Sequence, residues 1–404
     1  MGLLTALFGG SERDRFARKV SDRIKARGWP GPEPEYFEDT FSLRLDDQHR
    51  LFLDNAFKAW SRAKTADKDH QIDVAIGFLF EPRRDATLAE AKAHLLPAIR
   101  NRADLTNLWL APGNESVRGA YAGALHPFCR DLVVTLVVDG QSSISYVTRS
   151  KLEDWGTSFD DALTVAIENL RSISPCKFEK EPGGYWISSY GDHHDAARLL
   201  LPHLFEQLDL LGEPVTVALD RATLLVTGSD DHAAVRNMST FCENNFGKTD
   251  RPLACLPLAL RHGQWTPLER GADGHPALDR LRAIQQLRDC AEQKALLDAH
   301  NGASGDGPFV AGLRSSVHGG GCDTWAMWKM EIDTLLPRAD VIAFSRGDNE
   351  AMESRWRSWT DVEAQFGLLT QEPDLYPPRY RLREWPRDAW ERIEKLPKPV
   401  WASS

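Results

Sequence analysis

"DLVVTLVVDGQSSISYVTRSKLEDWGTSFDDALTVAIENLRSI", residues 131–173, is the stretch that decides the fold. Its first part is rich in β-branched residues and reaches Asp139-Gly140, a pair typical of a tight turn, before a second strand-like run begins. After Gly156, Ser158 is followed three residues later by Asp161, a pattern that resembles a capping box and predicts the start of a helix. The stretch therefore predicts a β-hairpin followed by an amphipathic helix. The apolar residues that share one face of this helix are Phe159, Leu163, Ala166, Ile167 and Leu170.

A similar order of elements recurs further along the chain. "GGYWISSY" predicts a strand, "GDHHDAARLLLPHLFEQL" a helix, "EPVTVALDRATLLVTG" a strand pair that turns near Asp220-Arg221, and "SDDHAAVRNMSTFCENNF" a capped helix. Strands joined in hairpins with helices between them favour an α+β fold with mixed, largely antiparallel sheets and packed helices. They argue against a doubly wound parallel sheet.

The length of the chain, 404 residues, is large for one hydrophobic core, so we expect two domains. We predict an N-terminal helix within 1–30, an α+β domain over 31–247, a linker and strand over 248–275, and a tryptophan-rich α+β domain over 276–404. The last domain begins with Pro276 at the first turn of a long amphipathic helix. Its tail, from "LYPPRYRLREWP" onward, is rich in proline and is expected to wrap the surface in extended form.

Part of the chain resembles a known bacterial family. The segments "FCRDLVVTLVVDGQSSISYVTRSKLEDWG", "AIENLRS", "YGDHHDAARLLLPHLFEQL" and "VTVALDRATLLVTG" are similar, in this order, to the YtpQ-like family, a domain of unknown function. The similarity covers about residues 14–247 and rests on hydrophobic spacing plus a few landmarks, which are Asp139, Asn169, Leu170, Asp195 and Arg221. The resemblance supports the fold and implies no particular chemistry.

The charge and the cysteines limit the classes of function. A net charge of −10 argues against non-specific binding of nucleic acid, which needs a dense surface of lysine and arginine. The dense basic run "RYRLREWPR", residues 379–387, is predicted to be a solvated strand face. Six scattered cysteines without a CxxC pair are typical of free thiols in a reducing compartment, so we expect a cytoplasmic protein.

Membrane segments are not expected. No apolar run approaches the length of a transmembrane helix. The opening "MGLLTALFGG" lacks the basic residues of a secretory signal, and the myristoylation pattern fails at Ala6. A peripheral contact with a membrane or a partner through residues 1–8 is left open.

The stretch "SSVHGGGCDTW", residues 315–325, invites a catalytic interpretation. A histidine before three glycines resembles an esterase loop that offers backbone N–H groups to an oxyanion, but the chain has no GxSxG nucleophile motif. Cys322 with His318 and Asp323 would form the site of a hydrolase-class enzyme, which we keep as the alternative. The strand-like flanks favour a hairpin loop in which glycines adopt positive φ angles.

Two further polar groups are candidate sites. Asp192 and Asp195 are the alternative for a metal site, whereas the favoured interpretation is that Asp192 caps a helix and Asp195 complements its positive end. Arg221 would either bind a carboxylate or phosphate or hold its turn through a salt bridge. No phosphate-binding glycine motif is present, and no cofactor is expected.

Tryptophan provides the remaining prediction. Exposed tryptophan and arginine side chains are the usual anchors of protein interfaces, so the candidate binding residues are Trp356, Trp359, Trp385 and Arg221. Our first hypothesis is a non-catalytic, cytoplasmic protein-interaction module, such as an adaptor, a regulator or an immunity-type partner. It would bind a protein partner and no nucleic acid.

Overall fold

The computed structural model describes residues 11–38, 40–46, 50–80, 86–110, 119, 123–140, 144–249, 251–268, 276–304, 307–319, 321–347, 352–367, 369–383, 388–399 and 401. The chain divides into two compact units. Unit 1 comprises residues 1–95 and 137–146, and unit 2 comprises residues 96–136 and 147–404. The predicted domain boundaries at 30, 247 and 275 stay a prediction.

Helices occur in both units. The α-helices are α1 Glu12–Ala26, α2 Asp54–Arg62, α3 Lys68–Ile76, α4 Leu88–Ala91, α5 Arg102–Leu110, α6 Arg149–Trp155, α7 Phe159–Ser172, α8 His232–Asn245, α9 Pro276–Ser304, α10 Trp359–Phe366 and α11 Ala389–Lys395. Short 3₁₀ helices are Thr65–Asp67, Gly77–Phe80, Lys92–His94, Asp195–Leu200, Pro202–Gln207 and Phe246–Lys248. None of the helices in the described ranges has both the length and the apolar character that crossing a bilayer requires.

The strands are short and mostly paired in antiparallel fashion. They are β1 Glu35–Phe37, β2 Ser42–Arg44, β3 Arg50–Phe52, β4 Leu95–Asn101, β5 Leu125–Cys129, β6 Leu132–Asp139, β7 Ile144–Tyr146, β8 Phe178–Lys180, β9 Trp186–Ser188, β10 Pro214–Asp220, β11 Thr223–Gly228, β12 Leu258–Arg261, β13 Gln264–Pro267, β14 Phe309–Val310, β15 Leu313–His318, β16 Gly321–Lys329, β17 Thr334–Pro337, β18 Val341–Arg346, β19 Glu353–Ser358, β20 Thr370–Gln371 and β21 Arg379–Leu382. Strand β14 is parallel to β17, and β16 is parallel to β18. The predicted α+β class with largely antiparallel sheets is confirmed.

Unit 1 has its own apolar core. Helix α1 contributes Phe16, Val20 and Ile24, which lie one helical turn apart and are fully buried. They belong to the same cluster as Leu43 on β2 and Trp60 on α2. Strands β1, β2 and β3 form a three-stranded antiparallel sheet in this unit.

The fold-deciding stretch forms the predicted elements. Strand β6 pairs with β7 in antiparallel register, with Val137 opposite Tyr146, as the turn signal at Asp139-Gly140 predicts. Helix α7 begins after Ser158, whose hydroxyl oxygen accepts a hydrogen bond from the backbone N–H of Asp161 at 3.1 Å. Both predictions are confirmed because the signals that specify a tight turn and a helix cap act over a few residues.

Unit 2 contains a six-stranded sheet in the order β13-β12-β10-β11-β9-β8. The predicted strand pair around Arg221 is β10 and β11, and the predicted capped helix is α8, whose N-cap Asp231 accepts from the backbone N–H of Ala234 at 2.9 Å. The helix predicted from "GDHHDAARLLLPHLFEQL" is wrong, because two 3₁₀ helices occupy that segment. Pro202 has no N–H to continue a helix, and Leu201 before it has a ψ of 67°.

The tail differs from its prediction as an extended wrap. Strand β21 lies inside a four-stranded sheet of order β14-β17-β21-β20, and α11 follows it. Arg379, in the basic run predicted to be solvated, is fully buried. Its guanidinium donates to the backbone carbonyls of Ala311, Leu335 and Cys290 at 2.8, 3.2 and 3.1 Å. Period-2 alternation identifies a strand face but does not reveal which face meets a core, and the prediction was wrong for Arg379 for that reason.

Long helix α9 begins at Pro276, as predicted. The second four-stranded sheet of unit 2 has the order β15-β16-β18-β19 and carries most of the candidate site. Its inner face includes Trp328, Ile342 and Phe344, which pack into an apolar cluster with Trp359 of α10. Its opposite face is called the outer face from here on and is defined by the alternate residues His318, Asp323, Trp325, Ala343 and Trp356.

Candidate functional site

The glycine stretch forms a hairpin loop. Strands β15 and β16 pair in antiparallel register, and His318 lies opposite Gly321 at the end of the hairpin. Gly321 has a φ of 150°, a value that residues with a side chain rarely adopt. The structure confirms the hairpin interpretation of this stretch.

The three residues of the hydrolase alternative do not converge. His318 Nε2 lies 3.2 Å from Asp323 Oδ2 on the outer face. Cys322 is 3% exposed and, as the neighbour of Asp323 in a strand, points to the opposite face. Burial raises the pKa of the Cys322 thiol, so its reactive thiolate form is disfavoured. A histidine–carboxylate pair is present, but Cys322 is not its nucleophile.

A row of indole rings covers the outer face. The ring centroids of Trp325 and Trp356 are 4.7 Å apart, and those of Trp356 and Trp401 are 5.5 Å apart, both in edge-to-face geometry. All three tryptophans are half-buried. Between them, the register places Ala343 beside Trp356 and Val341 beside Trp325. These short side chains leave room for the rings to lean together.

Trp401 binds the histidine–carboxylate pair. Its indole Nε1–H donates to Asp323 Oδ2 at 2.6 Å, and its ring is nearly parallel to that of His318, with an interplanar angle of 12°. A hydrogen bond to an ionised acceptor is shorter and stronger than one between neutral groups. The same carboxylate oxygen, Asp323 Oδ2, therefore contacts both Trp401 Nε1 and His318 Nε2.

Arg314 adds a positive charge beside the indoles. It is exposed on β15, and its guanidinium lies 5.4 Å from the ring centroid of Trp325. No carboxylate in the described ranges forms an ion pair with Arg314. The outer face therefore presents an aromatic surface with an available cation.

The other predicted tryptophans have different positions. Trp359 is 1% exposed and packs against Tyr380, with ring centroids 4.9 Å apart. It is therefore a core residue, and its prediction as a surface anchor is corrected. Trp385 and residues 1–8 lie outside the described residues. Of the predicted tryptophans, Trp356 belongs to the outer face.

Asp192 and Asp195 have separate roles. Asp192 accepts two hydrogen bonds from the buried guanidinium of Arg198, at 3.0 and 2.7 Å, and one from the backbone N–H of His194. Asp195 is fully buried, and its burial is the main reason why its pKa is raised. Among the described residues, no group of three or more potential ligands could hold a metal ion. Asp192 does not cap the 3₁₀ helix that follows, so the capping role is corrected to an ion pair.

Arg221 lies next to this segment. Its carbonyl oxygen accepts a hydrogen bond from the backbone N–H of Ala196 at 3.3 Å. Ala196 directly follows Asp195, so this backbone contact brings the segments of two landmarks of the resemblance together. Arg221 is half-buried, and its role in binding stays a prediction.

Sequence reasoning missed a buried polar row on α9. Gln285, Asp289 and Gln293 repeat every fourth residue and are at most 3% exposed. Gln285 donates to Asp131 at 3.0 Å, and Gln293 donates to the carbonyl of Pro377 at 2.9 Å. The four-residue spacing is visible in the sequence, but the apolar residues of the helix dominate its pattern.

Arg288 joins three carboxylates beside this row. Its guanidinium contacts Asp104, Asp289 and Glu292 at 2.7, 2.8 and 3.3 Å. Burial is the main reason why the pKa of Asp289 rises to about 7, and Arg288 opposes that rise. Because these groups satisfy one another, we assign them to holding α9 against α5.

Comparisons with known proteins identify no relative. No family model, no curated protein and no solved structure matches the chain. The resemblance to the YtpQ-like family stays a prediction.

Proposed function

We propose that the chain is a non-catalytic protein-interaction module that binds an extended, acidic segment of a partner protein on its outer face. The observation that supports this proposal is the half-buried row Trp325, Trp356 and Trp401, next to the available cation of Arg314. Tryptophan and arginine are the residue types that contribute most to interface affinity. The partner would be one for which the chain acts as an adaptor, a regulator or an immunity-type protein.

The sheet edge supports an extended partner. Strand β15 lies at one edge of its sheet, and its Val317 is 71% exposed. An edge strand can pair with an added strand through its backbone N–H and C=O groups. Because the overall charge is −10, Arg314 would select an acidic segment by local charge, against the general repulsion of the chain.

A cytoplasmic location is part of the proposal. All six cysteines are free, and five of them are buried. Free, buried thiols are typical of a reducing compartment.

The hydrolase alternative has one observation in its favour, the His318–Asp323 pair. Such a pair orients a histidine as a general base, but a nucleophile must lie within reach of its other nitrogen. Cys322, on the inner face, does not meet that requirement. Hydrolysis of a simple aryl ester that disappears in His318→Ala would restore the alternative.

A random peptide library displayed on phage tests the proposal. Selection on the wild-type chain and on Trp401→Ala is followed by affinity measurement of the enriched peptides. We expect acidic, extended peptides whose affinity falls about tenfold or more in Trp356→Ala and Arg314→Ala.

The matched control is Arg338→Ala. Arg338 also lies over an indole, that of Trp359, at 4.6 Å, but it is not on the outer face. It should leave peptide affinity unchanged. Enriched peptides that bind Trp356→Ala as well as the wild type, or the absence of any enrichment on either protein, would refute the proposal.

A further inference from the structure

The outer face is already occupied by a residue of the same chain. Trp401 lies 78 residues beyond Asp323 in the sequence, yet its indole donates to that carboxylate and packs on both His318 and Trp356. Only its indole ring supplies these contacts. Trp401 thus occupies the outer face as a side chain from a partner would.

The described part of the link that carries Trp401 is irregular. After α11 ends at Lys395, Pro397 and Lys398 are exposed and belong to no helix or strand. Pro397 and Pro399 have no backbone N–H to donate.

We propose that Trp401 is an internal ligand of the outer face, which a tryptophan in the partner's segment displaces. The inference rests on the proposed function and adds to it the identity of the partner's anchor residue. Tryptophan fits because it combines a large ring with an N–H donor at its edge, whereas phenylalanine has no donor for Asp323. The partner's tryptophan would take the place of Trp401 on Asp323, His318 and Trp356, while its acidic residue pairs with Arg314.

The tether sets a threshold for binding. A ligand joined to its site by a short link acts at an effective concentration in the millimolar range. A free segment therefore competes only when it makes contacts that Trp401 lacks, such as an ion pair with Arg314 or pairing with β15. Weak tryptophan peptides would be excluded from the intact chain for that reason.

The direct test supplies the segment as a separate molecule. A fluorescent peptide of residues 396–404, "LPKPVWASS", is titrated into the wild type and into Trp401→Ala, and binding is followed by fluorescence anisotropy. We expect Trp401→Ala to bind the peptide at least about tenfold more tightly than the wild type does. The double variant Trp401→Ala/Asp323→Leu, and a peptide with phenylalanine in place of the tryptophan, should each lose about tenfold in affinity.

Equal binding to wild type and Trp401→Ala, or binding to neither, would overturn the internal-ligand inference. A thermal melt first establishes that Trp401→Ala is folded. If it is not, Trp401→Phe keeps the ring without the donor and should bind the peptide more tightly than the wild type. If this titration fails while the library still yields peptides that depend on Trp356, the proposed function stands without the internal ligand. If the titration succeeds and the library yields no peptides, the outer face binds Trp401 but no partner segment, and the proposed function is refuted.

Discussion

The two faces of the β15-β16-β18-β19 sheet use tryptophan in different ways. On the inner face Trp328 is 3% exposed and packs with Phe344 in an apolar core. On the outer face Trp325, three residues earlier on the same strand, is half-buried beside an arginine and a histidine–carboxylate pair. The composition of a strand therefore does not separate a core tryptophan from a binding tryptophan. The neighbours across the sheet make that distinction.

The largest expected effect contrasts the two faces directly. Trp328→Ala should lower the free energy of unfolding by about 3–5 kcal/mol, because it leaves a large cavity in the inner core. Trp325→Ala should lower it by about 1 kcal/mol, since its ring already contacts water. Urea unfolding followed by circular dichroism measures both. Equal losses in the free energy of unfolding would mean that Trp325 is packed as tightly as a core residue.

A second comparison sets a buried arginine against an exposed one. Arg379→Met should destabilise the chain by about 3 kcal/mol, because three backbone carbonyls each lose the hydrogen bond from the buried guanidinium. Arg314→Met should change stability by less than about 0.5 kcal/mol. The same urea experiment distinguishes them, and a large loss in Arg314→Met would give Arg314 a structural role that we do not assign.

The pH dependence of stability tests the buried row of α9. The folded-state pKa of Asp289 is about 7, above its ordinary value of 3.8, so the folded chain binds the proton more tightly than the unfolded chain does. The stabilisation from this proton is fully present below pH 4 and is lost as the pH rises through 7. Asp289→Asn should therefore be more stable than the wild type at pH 8, by about 1–3 kcal/mol, and should lose that advantage at pH 4. Parallel stability curves for the two proteins would contradict this assignment.

Thiol labelling involves the smallest change in free energy, but it reports on single positions of the sheet. Cys322 is buried on the inner face, where burial raises its pKa, so it should react with a maleimide far more slowly than an exposed thiol. Met327→Cys places a thiol on the outer face of the same strand and should react faster. Mass spectrometry of the labelled peptides compares the two sites. Faster labelling of Cys322 would reverse the assignment of the faces.

The sequence predicts the local elements of this fold better than its long-range pairings. The hairpin at Asp139 and the helix cap at Ser158 depend on neighbouring residues, and both were predicted correctly. Strand β21 pairs with β17, more than 40 residues earlier, and no local signal specifies that partner. The tail was predicted to be extended on the surface for that reason.

The candidate site was predicted in part. Alternation along β15 and β16 would place Arg314, Asp323 and Trp325 on one face, because the glycines between the strands indicate a hairpin. The contact of Trp356 with Trp325 depends on the order of strands in the sheet, and the contact of Trp401 with Trp356 joins residues 45 positions apart in the sequence. Local sequence signals specify neither contact. Trp359 was assigned wrongly because a residue at the start of a helix packs inward or outward according to the tertiary structure alone.

The buried cation of Arg379 has a consequence for synthesis on the ribosome. Until residues 379–382 emerge, the carbonyl groups of Cys290, Ala311 and Leu335 lack the hydrogen bonds from the Arg379 guanidinium, and β17 lacks its antiparallel neighbour. A nascent chain that ends before Arg379 therefore exposes an unpaired strand edge and an unfinished core, the features that chaperones recognise. We expect this part of the protein to complete its folding only after residue 382 has emerged, and we expect premature stop codons before Arg379 to yield products that proteases remove.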